Sequence, residues 1–183
     1  MRISPAASIE GPLLIQPEFF RDHRGLFFES FHHQKFKSAT GLSINFVQDN
    51  HSISGRNVLR GLHYQIQQPQ GKLIEVVSGK ILDVAVDLRR SSPTFGKWTS
   101  HHLDSTNRHM VWVPRGFAHG FVSLSDNTEV IYKTTDYWAP QHERCIVWND
   151  PDLAIDWQLN GITPQLSAKD AAGTHFKQAE VFA

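Results

Sequence analysis

This sequence predicts an all-β fold, a sandwich or a barrel, and three observations predict it. Short runs rich in Val, Ile, Tyr, Phe and Trp recur along the chain. Gly, Pro, Asn and Asp break them at the spacing of turns. No repeat, low-complexity tract or linker divides the 183 residues, a length that buries a sizeable core in one domain, here 1–183.

In chain order, HHQKFKSATG (32–41) predicts a short helix stopped by Gly41. VLRGLHYQ (58–65) reads as a strand that carries Arg60, His63 and Gln65. Alternation puts Arg60 and His63 on opposite faces unless Gly61 supplies a bulge, and a bulge is expected there. KLIEVVSGKILDVAVDL (72–88) reads as two strands of a hairpin reversing at Gly79. HMVWVPRGFAHGFVSL (109–124) and EVIYKTTDYW (129–138) are further strand segments, and SLSDNTEV between them has the Ser, Asp and Asn chemistry of a turn. After Pro164 the chain becomes more polar, and LSAKDAA starts a helix after Ser167. In such a fold the barrel mouth is the default ligand site, so inward polar residues read as its lining.

Composition excludes several functions. Lys plus Arg number 18 and so do Asp plus Glu, so no basic surface is offered to nucleic acid or to an anionic membrane. No stretch approaches the roughly 20 apolar residues of a membrane-spanning helix. MRISPAASIEGPLL lacks the apolar run of a signal peptide, and Cys145 stands alone, so a cytoplasmic protein without intrachain disulfides is expected.

Two pieces resemble the paired motifs of the cupin superfamily: HYQ (63–65) with Gly79 downstream, and PRGFAH (114–119). A metal-binding cupin gathers three His and a Glu on one ion. Here Gln65 replaces the second His and Lys72 replaces the Glu. An ammonium repels a cation, and His63 with His119 alone make a poor divalent site, so no metal is expected. A pocket that exchanges ligands for a cation and an amide suits something anionic. The other histidines form no ligand pattern.

The resemblance then narrows. FRDHRGLFFE (20–29), QDNHS (48–52), RGLHYQ (60–65), GK (71–72), DVAVDLR (83–89), SPTFG (92–96), PRGFAHGF (114–121), YK (132–133), WNDP (148–151) and KD (169–170) stand in the order found in dTDP-4-dehydrorhamnose 3,5-epimerases. The chain resembles that family over most of its length. The resemblance implies a cupin jelly-roll barrel with short peripheral helices, a homodimer, and a reaction without metal or redox cofactor. That reaction converts dTDP-4-dehydro-6-deoxy-D-glucose to dTDP-4-dehydro-L-rhamnose by inverting C3 and C5. Both carbons adjoin the C4 ketone, so each hydrogen leaves as a proton and generates an enolate.

The resemblance also implies roles. His63 is the base, near neutrality at its ordinary pKa of about 6.5. Asp170 beside it fixes the tautomer, Lys72 stabilises the enolate oxygen, and Tyr132 donates a proton to the opposite face. Arg24 and Arg60 are diphosphate ligands. Gln48, Asn50, Glu29 and Glu143 contact nucleotide or sugar, His119 and Lys169 lie in the pocket, and Phe27 and Trp138 offer flat surfaces. Trp138 stands where many relatives have a second tyrosine.

Each residue alone has a blander reading. Tyr132 is a strand tyrosine, Lys72 a turn lysine in water, Asp170 a first-turn helix acid, and Arg24 a loop arginine in a surface pair. Asp83 and Asp87 read as structural or interface residues. Joint occurrence in family order favours the catalytic reading. The competing functions are a mono-epimerase acting at C3 or C5 only, a silent nucleotide-sugar-binding cupin, and a metal-dependent cupin oxygenase.

Overall fold

The computed structural model describes residues 2–6 and 9–183. In chain order its elements are β1 (Arg2–Pro5), β2 (Leu13–Gln16), β3 (Phe19–Asp22), β4 (Gly25–Phe28), α1 (His33–Thr40), β5 (Gln48–Ser54), β6 (Leu59–Gln65), β7 (Lys72–Ser78), β8 (Lys80–Asp87), β9 (Trp98–Asp104), β10 (Met110–Val113), β11 (Phe117–Ser123), β12 (Thr128–Thr134), β13 (Glu143–Cys145) and α2 (Ala168–Ala171). One sheet runs β1-β2-β10-β7-β12-β5, a second runs β13-β6-β11-β8-β9, and β3 with β4 forms a separate ribbon. All these strand pairs are antiparallel.

The two large sheets face each other. Ile74, Val76, Val111 and Val130 from one pack against Ile81, Ala85, Leu103, Phe117 and Phe121 from the other. The expected all-β, cupin-type barrel is therefore what forms, closed by an apolar floor.

Both outer faces are covered too. Phe36 of α1 packs with Leu73 and Trp112 behind the six-stranded sheet. Ile146, Leu153 and Trp157 lie with Leu62, Leu82, Val84 and Val86 behind the five-stranded one. A strand buried on both faces loses its polar alternation. This explains why ILDVAVD reads as a nearly continuous buried run.

Gly41 ends α1 in the left-handed region, its N–H donating to the Lys37 carbonyl. Ser167 caps α2 as expected. The hairpin reading of Gly79 needs correction. β7 pairs with β10 and β12, and β8 pairs with β9 and β11. Gly79, at φ 76°, carries the chain across the gap from one sheet to the other. Turn chemistry says that the chain reverses; it does not say which strand it meets next. The SLSDNTEV turn crosses between the sheets in the same way, from β11 to β12.

The bulge at Gly61 is present. His119 registers with His63 and Phe121 with Arg60, so Gly61 and Leu62 together oppose Gly120. Gly61 has φ 124°, and a Cβ there would lie 2.5 Å from the Cα of Gly120. Gly61→Ala should therefore lower unfolding stability by about 3 kcal/mol. Gly41→Ala, whose added methyl meets nothing within 4 Å, should cost about 1 kcal/mol from backbone strain alone. Urea denaturation compares the two, and equal losses would mean that the bulge relaxes freely.

Candidate active site

Toward the mouth the barrel interior turns polar. Two adjoining chambers of about 280 and 290 Å³ share His63, Lys72, Tyr132 and Glu143 in their walls. One is completed by Gln48, Asn50, Gln65, Gln70 and Trp138, the other by Arg60, His119, Lys169 and Asp170. His63 stands on β6 of the five-stranded sheet, whereas Tyr132 on β12 and Lys72 at the start of β7 belong to the facing sheet. An imidazole thus looks across the cavity at a phenol and an ammonium.

Strand register sets the neighbours. His63 pairs with His119 on one side and Cys145 on the other, and Tyr132 pairs with Asn50. Residues paired across a ladder point to the same face. The bulge brings Arg60 to this cavity as well, with its Nε donating to Ser54 Oγ at 3.1 Å.

Asp170 reaches His63 from the C-terminal segment, Nε2 to Oδ1 at 2.6 Å. Ser167 Oγ donates to its other oxygen at 2.7 Å, and the Gly61 N–H points at Oδ1 at 3.3 Å. Burial alone would raise this carboxyl. Hydrogen bonds from His63, Ser167 and the Gly61 backbone outweigh it and bring the pKa to about 2. An ionised carboxylate only accepts, so Nε2 of neutral His63 carries the proton and Nδ1 keeps its lone pair.

Burial pushes the His63 pKa below its ordinary 6.5, more than the Asp170 hydrogen bond lifts it. The imidazole is therefore neutral at pH 7 and able to accept a proton. Lys72 is buried and donates to the His63 carbonyl at 3.3 Å. Burial lowers its pKa to about 8, with Glu143 and Asp83 holding it up. It remains mostly cationic at neutral pH. Burial raises the Tyr132 phenol, which keeps its proton throughout this range.

Glu143 pairs with Lys169 at 2.6 Å. Burial raises its carboxyl, but the Lys169 contact and other positive neighbours leave it below the usual range. His119 holds Asp83 at 2.7 Å, both buried.

The cavity thus gathers His63, Lys72, Tyr132, Asp170, Gln48, Asn50, Arg60, His119, Trp138, Glu143 and Lys169. Arg24, Phe27 and Glu29 lie elsewhere, on or beside the β3–β4 ribbon. Arg24 forks onto Asp22 at 2.6 Å, Phe27 is 69% exposed, and Glu29 pairs with Lys35 at 2.8 Å. Sequence reasoning missed Asp83 as the partner of His119. Alternation with Val84 and Val86 puts Asp83 on the face opposite those valines, and only the two-sided burial of β8 makes that face the inward one.

Among the described residues, ligand atoms of His63, Cys145 and Asp170 fall within 4.8 Å of one another. The donor set suits a metal badly. Asp170 is committed to three hydrogen bonds. Burial pushes the Cys145 thiol up to about 12, and the charges of Lys169 and Lys72 bear on His63. Cationic side chains at this mouth favour an anion.

Comparison with known proteins adds independent findings. Residues 6–178 match the sequence profile of the dTDP-4-dehydrorhamnose 3,5-epimerase family. The enzyme of that name from Pseudomonas aeruginosa is 56% identical over 175 residues, 96% of each chain. The dTDP-6-deoxy-D-glucose-3,5-epimerase of Legionella pneumophila, solved with dTDP-4-keto-L-rhamnose, superposes with a TM-score of 0.93 at 46% identity, covering 98% of this chain and 95% of that one. A 3'-monoepimerase from Streptomyces bikiniensis, solved with dTDP-quinovose, gives a TM-score of 0.88 at 37% identity, covering 92% and 85%.

The charge environment of His63 is open to measurement. NMR titration should place its pKa below 6.5 in the native protein, and Asp170→Asn, which removes the carboxylate that raises it, should take it lower still. Because folding lowers this pKa, His63 subtracts nothing from stability above about 6.5 and destabilises the fold progressively as the pH falls below that value. An unshifted native value would refute this account of the burial.

Proposed function

The chain belongs to the dTDP-4-dehydrorhamnose 3,5-epimerase family, and from that premise we propose that its cavity inverts C3 and C5 of dTDP-4-dehydro-6-deoxy-D-glucose, giving dTDP-4-dehydro-L-rhamnose. The observation that carries this reading is the placement of His63 and Tyr132 on opposite sheets around one cavity, with Lys72 buried in its wall.

The chemistry follows from those positions. With the C4 carbonyl near Lys72, the hydrogen on the adjacent carbon is acidified because its electron pair delocalises onto O4. Neutral His63 takes that proton, and Asp170 stabilises the imidazolium formed. The Lys72 ammonium stabilises the enolate oxygen, worth about 3–4 kcal/mol by analogy with oxyanion donors. Tyr132 gives a proton to the opposite face of the same carbon, and the carbonyl reforms with inverted configuration. One proton leaves, one arrives, and no electrons are transferred to or from the sugar. Solvent exchange resets both side chains.

Arg60 and Lys169 at the mouth suit a diphosphate, and Trp138 a flat ring. The ribbon that exposes Phe20 and Phe27 fits a homodimer in which Arg24, Phe27 and Glu29 of a second copy complete this site. Among the described residues no helix is long and apolar enough to cross a membrane.

Incubation with dTDP-4-keto-6-deoxyglucose in heavy water should put deuterium at both C3 and C5. Label at one carbon only would replace this activity with a mono-epimerase, and no label with intact dTDP binding would leave a binding protein. His63→Asn should abolish exchange while dTDP affinity changes little. On the alkaline side kcat/KM should fall as Lys72 loses its proton near pH 8, and Lys72→Arg should move that limb upward. An unmoved limb would take the enolate-stabilising role away from Lys72.

A further inference from the structure

We infer that Gln65 is a positioning residue, which together with Gln70 and Gln48 clamps residues 136–139 into a fixed wall of the cavity mouth against which the nucleotide-sugar binds. The identity of the ligand rests on the activity proposed above; the clamp itself does not.

Residues 137–139 have no regular secondary structure, and Asp136 sits in a bend. Yet a glutamine amide holds every residue of the segment. Gln70 Nε2 donates to the Asp136 carbonyl at 2.9 Å, and Gln65 Nε2 donates to that of Tyr137 at 3.2 Å. The Trp138 N–H donates to Gln48 Oε1 at 3.0 Å, and the Ala139 N–H to Gln65 Oε1 at 2.8 Å. Gln65 also donates to the Gln68 carbonyl at 2.7 Å, so this buried side chain is saturated by backbone and offers the ligand little. It serves through what it holds.

What it holds matters at the mouth. Trp138 is 58% exposed and shares a chamber wall with all three glutamines. A large exposed ring on an irregular segment ordinarily moves, and binding then bears the entropy of ordering it. Fixing its backbone beforehand removes that penalty. The amide is the suitable group because one side chain supplies both the donor that the Tyr137 carbonyl needs and the acceptor that the Ala139 N–H needs. A carboxylate supplies only the second. An amide also has no charge to lose, so the wall stays in place over the pH range in which His63 and Lys72 change theirs.

Gln65→Met keeps the buried volume and removes all three bonds. Amide hydrogen exchange in the unliganded protein should then be about tenfold faster at the Ala139 N–H, which loses its acceptor. KM for dTDP-4-keto-6-deoxyglucose should rise about tenfold with kcat within twofold, because the loss falls on binding and not on proton transfer. Gln70→Ala, at the partly exposed rim, leaves the Ala139 acceptor in place and should raise KM by about threefold with kcat within twofold, so the split between KM and kcat decides if Gln65→Met does not fold. Unchanged exchange at Ala139 would overturn the clamp. Faster exchange with unchanged KM would overturn its part in binding, and so would a fall in kcat at constant KM, which is the signature of lost folded enzyme. If the wild type turns nothing over, the proposed activity fails; exchange still decides the clamp, and calorimetry with dTDP then takes the place of KM.

Discussion

A buried carboxylate sits in the wall of the barrel, and its hydrogen bond to His63 is the interaction on which the site depends. Asp170 is 3% exposed, and an unpaired charge at that depth would be severely unfavourable. Three donors converge on it: the His63 imidazole and the Gly61 N–H, both from β6, and the Ser167 hydroxyl at the cap of α2. The same arrangement selects the tautomer of His63, the group that the proposed mechanism uses as base. Structural satisfaction and chemical readiness are therefore one requirement here, met by one set of atoms.

The barrel architecture makes that site possible by covering its own outer faces. With α1 behind one sheet and the C-terminal coil behind the other, the hydrophobic stabilisation of the fold does not rely on the interior alone. The interior is thus free to be divided. Its floor is closed with Val, Ile and Phe, and its mouth holds charges and amides. Facing sheets then give two walls of independent character, and inversion at carbon demands two independent walls.

Parts of this were legible in the sequence for identifiable reasons. The helix ending at Gly41, the cap at Ser167 and the bulge at Gly61 are local, each readable from one residue's conformational range. The pairing of β7 was not, because Gly79 signals a reversal and leaves the partner open. Lys72 follows QPQG and has the local chemistry of a turn in water; only the β7–β12 ladder puts it inside. Asp83 alternates with Val84 and Val86, which sets it on the face opposite them, but nothing local says that this face is inward or names His119 as its partner. The glutamine amides carry no pattern at all, since their partners are backbone atoms of an irregular segment distant in sequence. Arg24, Phe27 and Glu29 were singled out by motif, and this chain's own fold keeps them away from its own cavity.

The ordering of the chain adds one more consequence. His63 and the carboxylate that orients it are 107 positions apart, and every strand named above precedes that carboxylate. Any nascent polypeptide still short of Asp170 has its imidazole without a fixed tautomer. A stretch made after every strand of both sheets therefore completes the surroundings of His63, and a chain interrupted before Asp170 would hold the strands while leaving Nε2 without its acceptor.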